Sequence, residues 1–154
     1  MKAWIMIVCL LWSTVAAAGE YIVGFRGHNN AFDHKAFVEF ARQRNLEPIE
    51  FGAHDVERAA RYISARSEAY ELYGFSAGAW SVKQVLSLQH MNHGRMPRHV
   101  TTVGAHPSVD VDFSKWNVPF SNYFDDSGRG HRSPGQHMSV PHGRAMQHVN
   151  QLQR

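Results

Sequence analysis

Gly74-Phe75-Ser76-Ala77-Gly78 sets a serine between two glycines in the pattern G-x-S-x-G. By composition alone the pattern arises in roughly one chain in twenty of this length, so its flanks must decide what it does. A serine hydroxyl attacks a carbonyl only when a base takes its proton and an acid orients that base. The chemistry therefore calls for a strand before Ser76, a helix after it, and an acid and a histidine further on. Eight histidines follow Ser76: His90, His93, His99, His106, His131, His137, His142 and His148. His90 and His93 fall at a helix end, where basic side chains suit the dipole. His148 falls on the outside of the last predicted helix. His137 precedes a short apolar stretch at a loop end that could fold over the serine, and His142 is its alternative. Asp125 and Asp126 follow a predicted strand and precede His137, giving the order Ser, Asp, His. Asp110 and Asp112, after the preceding strand, are alternative acids.

The elements around the serine alternate. "EYIVGF" reads as a buried strand. Phe32, Ala36, Phe37, Phe40 and Ala41 then share one helix face, and "EPIEF" reads as a second strand. Asp55 can cap a helix whose inner face is Val56, Ala59, Ala60 and Ile63. "AYELYGF" leads as a strand into Ser76, and Ala79, Val82, Val85 and Leu86 line the helix behind it. "HVTTVGA", "VPFSNYF" and "HMSV" are three further strands, residues 125–136 are loop, and "GRAMQHVNQL" is a closing helix. This alternation predicts an α/β fold with a mostly parallel sheet of about six strands between helices on both faces. Glu71 lies within a strand that should be central, and is expected at its entry, in reach of solvent.

The 154 residues suffice for one domain. "MKAWIMIVCLLWSTVAAAGE" has one lysine, an apolar run and an A-x-A site at Ala16 and Ala18, which is a secretory signal. Residues 1–18 are therefore expected to leave, residues 19–154 to form one catalytic domain, and the protein to be secreted or periplasmic without a membrane span. The single cysteine, Cys9, departs with the leader, so no disulfide is expected. The formal charge of +3 falls to +2 with loss of Lys2, and no basic run argues for nucleic acid. His90 and His93 lack the H-E-x-x-H of a helical zinc site, and "SGRGHRSPG" lacks the ending of a phosphate loop. Neither a metal nor a cofactor is expected.

"GFSAG", the early "VGFRGHNN" and the tail "GQHMSVPHGRAMQHVNQL" together resemble the α/β-hydrolase superfamily over residues 21–152. The resemblance is to compact, lidless lipases and esterases, and it implies a minimal three-layer sandwich. It also implies Ser76 as nucleophile and His137 as base. It departs from the family in its short length and in carrying Arg26-Gly27-His28 where a His-Gly pair is common. Asp125 or Asp126 completes the expected triad, with the Ala77 amide and one near Phe25 or Arg26 as oxyanion donors. The expected substrate is a carboxylic ester, small or on an exposed polymer. The alternatives are a thioester or amide substrate, or an inactive hydrolase fold that binds a partner at the cell surface.

Overall fold

The computed structural model describes residues 19–30, 32–105 and 109–123. The expected leader, the loop at 125–136, the strand at 137–140 and the closing helix lie outside these residues.

Among the described residues five strands form one sheet: β1 (Tyr21–Phe25), β2 (Glu47–Phe51), β3 (Tyr70–Phe75), β4 (Val100–Val103) and β5 (Phe120–Tyr123). Their order is β2-β1-β3-β4-β5, and every pairing is parallel. Parallel neighbours need crossovers, and those from β1 to β2, β2 to β3 and β3 to β4 are supplied by α1 (His34–Gln43), α2 (Val56–Ser64) and α3 (Gly78–Met91). The chain steps one way from β1 to β2, then reverses past β1 to β3. Right-handed crossovers then put α1 on one face and α2 with α3 on the other, which makes three layers.

Alternation along the strands sorts the core accordingly. Tyr21, Val23, Phe25, Tyr70 and Leu72 pack with Val56, Ala59, Ile63, Val82, Val85 and Leu86 from α2 and α3. Ile22, Tyr73, Phe75 and Val103 pack on the other face with Phe37, Phe40 and Ala41 of α1. All residues of β1 and β3 are buried, as strands covered on both faces must be.

Two details depart from expectation. Glu71 does not reach solvent: it is 3% exposed in the middle strand. Arg44, at the end of α1, meets it with two hydrogen bonds of 2.9 Å, and Arg98 lies 3.7 Å away. Its charge is thus paired inside the fold rather than hydrated. Asp55 stands at the N-cap of α2, yet its carboxylate makes no cap bond to that helix. It accepts from the Gly52 amide at 3.0 Å and so braces the preceding loop. The working cap is Asp33, which accepts from Ala36 N at 2.9 Å at the start of α1.

Candidate active site

Open parallel sheets take ligands at the carboxyl edge where the strand order reverses. Here the reversal lies between β1 and β3, and Ser76 is the first residue beyond β3. Its amide still belongs to the sheet, donating to Val103 O at 2.9 Å. Its φ is +56°, a left-handed value that costs a residue with a Cβ about 1–2 kcal/mol. Such strain persists only where the surroundings enforce it, and it gathers at working sites.

The two glycines enforce it. A Cβ on Gly74 would come within 2.8 Å of Ala79 Cα. A Cβ on Gly78 would strike the Phe25 carbonyl oxygen and lie 2.9 Å from that of Arg26. Neither obstacle is the loose end of a side chain, so neither can move aside cheaply. The spacing read from the sequence is therefore a steric requirement of the β3–α3 turn.

The Ser76 hydroxyl is buried, with the residue 1% exposed, and it makes no hydrogen bond among the described residues. An idle buried hydroxyl is costly. It is not a helix cap: Ala77 holds the N-cap position of α3, and among the described residues the Ser76 hydroxyl bonds to no amide of that helix. The first turn is closed by Ala79 N to Ser76 O at 3.2 Å and Trp80 N to Ala77 O at 3.0 Å. The Ala77 amide donates to no described residue. It adds an N–H donor to the positive end of a helix of 14 residues with no acid in its first turn.

Arg26 behaves differently from expectation. Its amide donates to Phe51 O at 3.0 Å, and its guanidinium reaches Glu50 at 3.1 Å, a carboxylate that His34 also contacts. The amide is thus engaged in tying β1 to β2. Gly27, next in the chain, is buried, and its amide donates to no described residue.

Asp125, Asp126, His137 and His142 lie outside the described residues. Asp110 is held at 3.5 Å by Lys83 and accepts from the Asp112 amide at 3.0 Å. These contacts keep its carboxyl below the usual range, the backbone bond first and the Lys83 charge adding to it. Asp112 accepts from the Ser114 amide at 2.9 Å, which starts a short turn. Both acids thus serve their own loop. His90 lies in the last turn of α3 and His93 just beyond it, both exposed. Among the described residues no three His, Cys, Asp or Glu side chains gather to hold a metal ion, and no helix is long and apolar enough to cross a membrane.

One feature beside the turn escaped the sequence reading. Asn29 and Asn30, in the loop after β1, both have left-handed φ values of 53° and 57°. Asparagine tolerates that region, and "HNN" directly after a strand was the available signal.

No protein-family model matches the chain, and no curated protein matches it. Among solved structures it is similar to RedJ with a PEG molecule bound in the active site, at 15% identity and a TM-score of 0.47, covering 66% of this chain and 53% of that one. It is also similar to the RedJ thioesterase from the prodiginine biosynthetic pathway in Streptomyces coelicolor, at 17% identity and a TM-score of 0.44, covering 56% and 40%. The chain spans about half the length of these structures or less.

Proposed function

We propose that this protein is a serine hydrolase that cleaves carboxylic esters through an acyl-enzyme on Ser76. One observation carries the reading: a strained serine, its hydroxyl unbonded among the described residues, sits between two glycines at which an added carbon would strike backbone, at the reversal point of a parallel sheet. A hydroxyl required only for packing would not need that backbone.

In the proposed reaction His137 takes the Ser76 proton as Oγ attacks the carbonyl carbon. Asp125, or its neighbour Asp126, orients the imidazolium. The tetrahedral oxyanion receives the Ala77 amide and, in place of Arg26, the Gly27 amide. His137 then returns the proton to the departing alcohol. A water, deprotonated by the same imidazole, attacks the acyl carbon and frees Ser76. Residues 1–18 direct the chain across a membrane and leave it, so the enzyme works outside the cell or in the periplasm.

The competing reading is a hydrolase fold that only binds a partner. The near-complete burial of Ser76 favours it. A fluorophosphonate separates the two, because it phosphonylates only an activated serine. Labelling of residues 19–154 that maps to Ser76 by peptide mass spectrometry is the expected result. Absence of labelling would sink the hydrolase. A panel of p-nitrophenyl esters, a thioester and an anilide then assigns the bond that is cut.

A further inference from the structure

Two cavities lie near the Ser76 turn without being lined by Ser76 itself, and they share two lining residues. The smaller, about 340 Å³, lies between the loops that follow β1 and β2, lined by residues 27–30 and 52–55. The larger, about 800 Å³, runs along the outer surface of α2 and α3 to Trp80, Met91 and Trp116. His54 and Asp55 line both, so the two adjoin and can be followed by one extended ligand. The near end of this groove belongs to the sheet edge that carries Ser76. Gly78 packs against the Phe25 and Arg26 carbonyls, and Ser81 Oγ donates to Ala53 O at 2.5 Å.

The lining changes character along its length. The near end offers imidazoles, carboxamides and a carboxylate from His28, Asn29, Asn30, His54 and Asp55. The imidazoles and carboxamides both donate and accept while the carboxylate only accepts, a mixture that suits hydroxyls. The far end holds two indoles and four cations. Trp80 is 46% exposed and Met91 65%, unusual for side chains of this size. Lys83 Nζ lies 5.9 Å from the Trp80 ring centre and Lys115 Nζ 4.0 Å from that of Trp116. With Arg58 and Arg61 these lysines outnumber the carboxylates on the lining, Asp55 and Glu57. Both acids already face arginines, Arg58 at 3.6 Å and Arg61 at 3.8 Å, and Lys83 leans on Asp110 at 3.5 Å. Among the described residues Lys115 alone of these four cations makes no ion pair, although the Asp112 carboxylate lies close enough to feel its charge.

We propose that this groove holds an acidic polysaccharide and presents its esterified units to Ser76. The inference rests on Ser76 being the ester-cleaving nucleophile. Sugar rings stack a C–H face on an exposed indole and spread hydroxyls to the polar end. Free carboxylates along the polymer meet the cations, and the esterified units supply the bond to be cut. A long acyl chain would strand these charges without partners.

The test uses the full mature chain carrying Ser76→Ala, so that bound polymer is not consumed, and polygalacturonate as the probe in calorimetry. Binding that Trp80→Ala weakens at least tenfold, and that Lys115→Ala weakens with a shallower salt dependence, is the expected result. Dextran, an uncharged polymer, should bind at least tenfold more weakly than polygalacturonate. No binding of polygalacturonate, or binding unchanged by Trp80→Ala, overturns the proposal. So does tighter binding of oligo-dT or of anionic lipid vesicles. Hydrolysis of p-nitrophenyl acetate by the chain with Ser76 intact reports separately on the nucleophile. Polymer binding without that hydrolysis keeps the groove and removes the hydrolase. Hydrolysis without polymer binding does the reverse.

Discussion

Gly78 lies against Phe25 with no room for a single added carbon: a Cβ there would strike the Phe25 carbonyl oxygen. That contact locks the first turn of α3 to the end of β1, and so locks the turn that carries Ser76. Gly78→Ala must push backbone from backbone. It should cost about 2–3 kcal/mol, as overpacking of a tight site does. It should also remove fluorophosphonate labelling, because the Ala77 amide shifts with the turn. Urea denaturation and labelling of the same sample check both. A variant with unchanged midpoint and labelling would show that the glycine is incidental.

Ser76 itself trades stability for position. At φ +56° a glycine is unstrained where a serine is not. Ser76→Gly should therefore raise stability by up to about 1 kcal/mol, the left-handed penalty less the extra freedom of an unfolded glycine. It should abolish hydrolysis, as should Ser76→Ala, at a cost on the order of 10⁶ in turnover. A rise in the urea midpoint together with loss of activity is the pattern of a residue kept for chemistry. A fall in stability would mean that the hydroxyl holds the turn together.

The proton relay is testable by side-by-side substitution. His137→Ala should match the serine change, since the members act as a unit, while His142→Ala should keep most activity. Asp125→Asn should lower turnover by about 10⁴ by favouring the wrong imidazole tautomer. Asp126→Asn is the parallel measurement. Asp110→Asn should stay within a few-fold of the parent, because Asp110 is 65% exposed and engaged with Lys83 and its own loop. A collapse of activity in Asp110→Asn would relocate the acid to the loop after β4.

The strands and helices were readable because burial on both faces forces apolar runs and burial on one face forces a 3.6-residue period. Val82, Val85 and Leu86 thus placed α3, and with it the glycines around Ser76. Local spacing says nothing of partners distant in sequence. Arg44 is 27 residues from Glu71, so a carboxylate destined for a buried ion pair looked like one seeking water. The sequence alone leaves the Arg26 amide open to an oxyanion, because its bond to Phe51, 25 residues on, leaves no trace in the residue type. Asp55 carried a cap signature that its bond to Gly52 overrides. The groove ending at Trp80 and Trp116 joins helix faces to a later loop, and only the fold brings them together.

The Arg44–Glu71 pair makes a prediction about energy. Glu71 is buried in the middle strand and takes both hydrogen bonds from one guanidinium. Arg44→Met leaves that carboxylate without its main partner, since Arg98 stands further off at 3.7 Å. The loss should be about 3 kcal/mol, in the range for breaking one side of a buried pair. Arg44→Met combined with Glu71→Leu should recover most of it, because the uncompensated charge goes too. Urea midpoints of the two single variants and the double close the cycle. If the double variant is no more stable than Arg44→Met, the cost came from lost packing.

His99 sets part of the response to acid. Its ring is half-buried beside the sheet and hydrogen-bonds Ser121 at 3.0 Å. Burial lowers its pKa below the ordinary value; Arg44 pushes the same way, and Glu71 opposes both. The folded chain therefore holds fewer protons on this ring than the unfolded chain, whose histidine titrates near about 6.5. Its stabilising contribution is complete above that unfolded value. It is lost progressively as the pH falls through the unfolded pKa towards the folded one, and levels off below. His99→Gln cannot protonate and should flatten the fall in urea midpoint between pH 7.5 and pH 5. The other histidines are common to both chains, so the difference between the two pH profiles isolates this ring. Parallel profiles would show that His99 carries the same protons folded and unfolded.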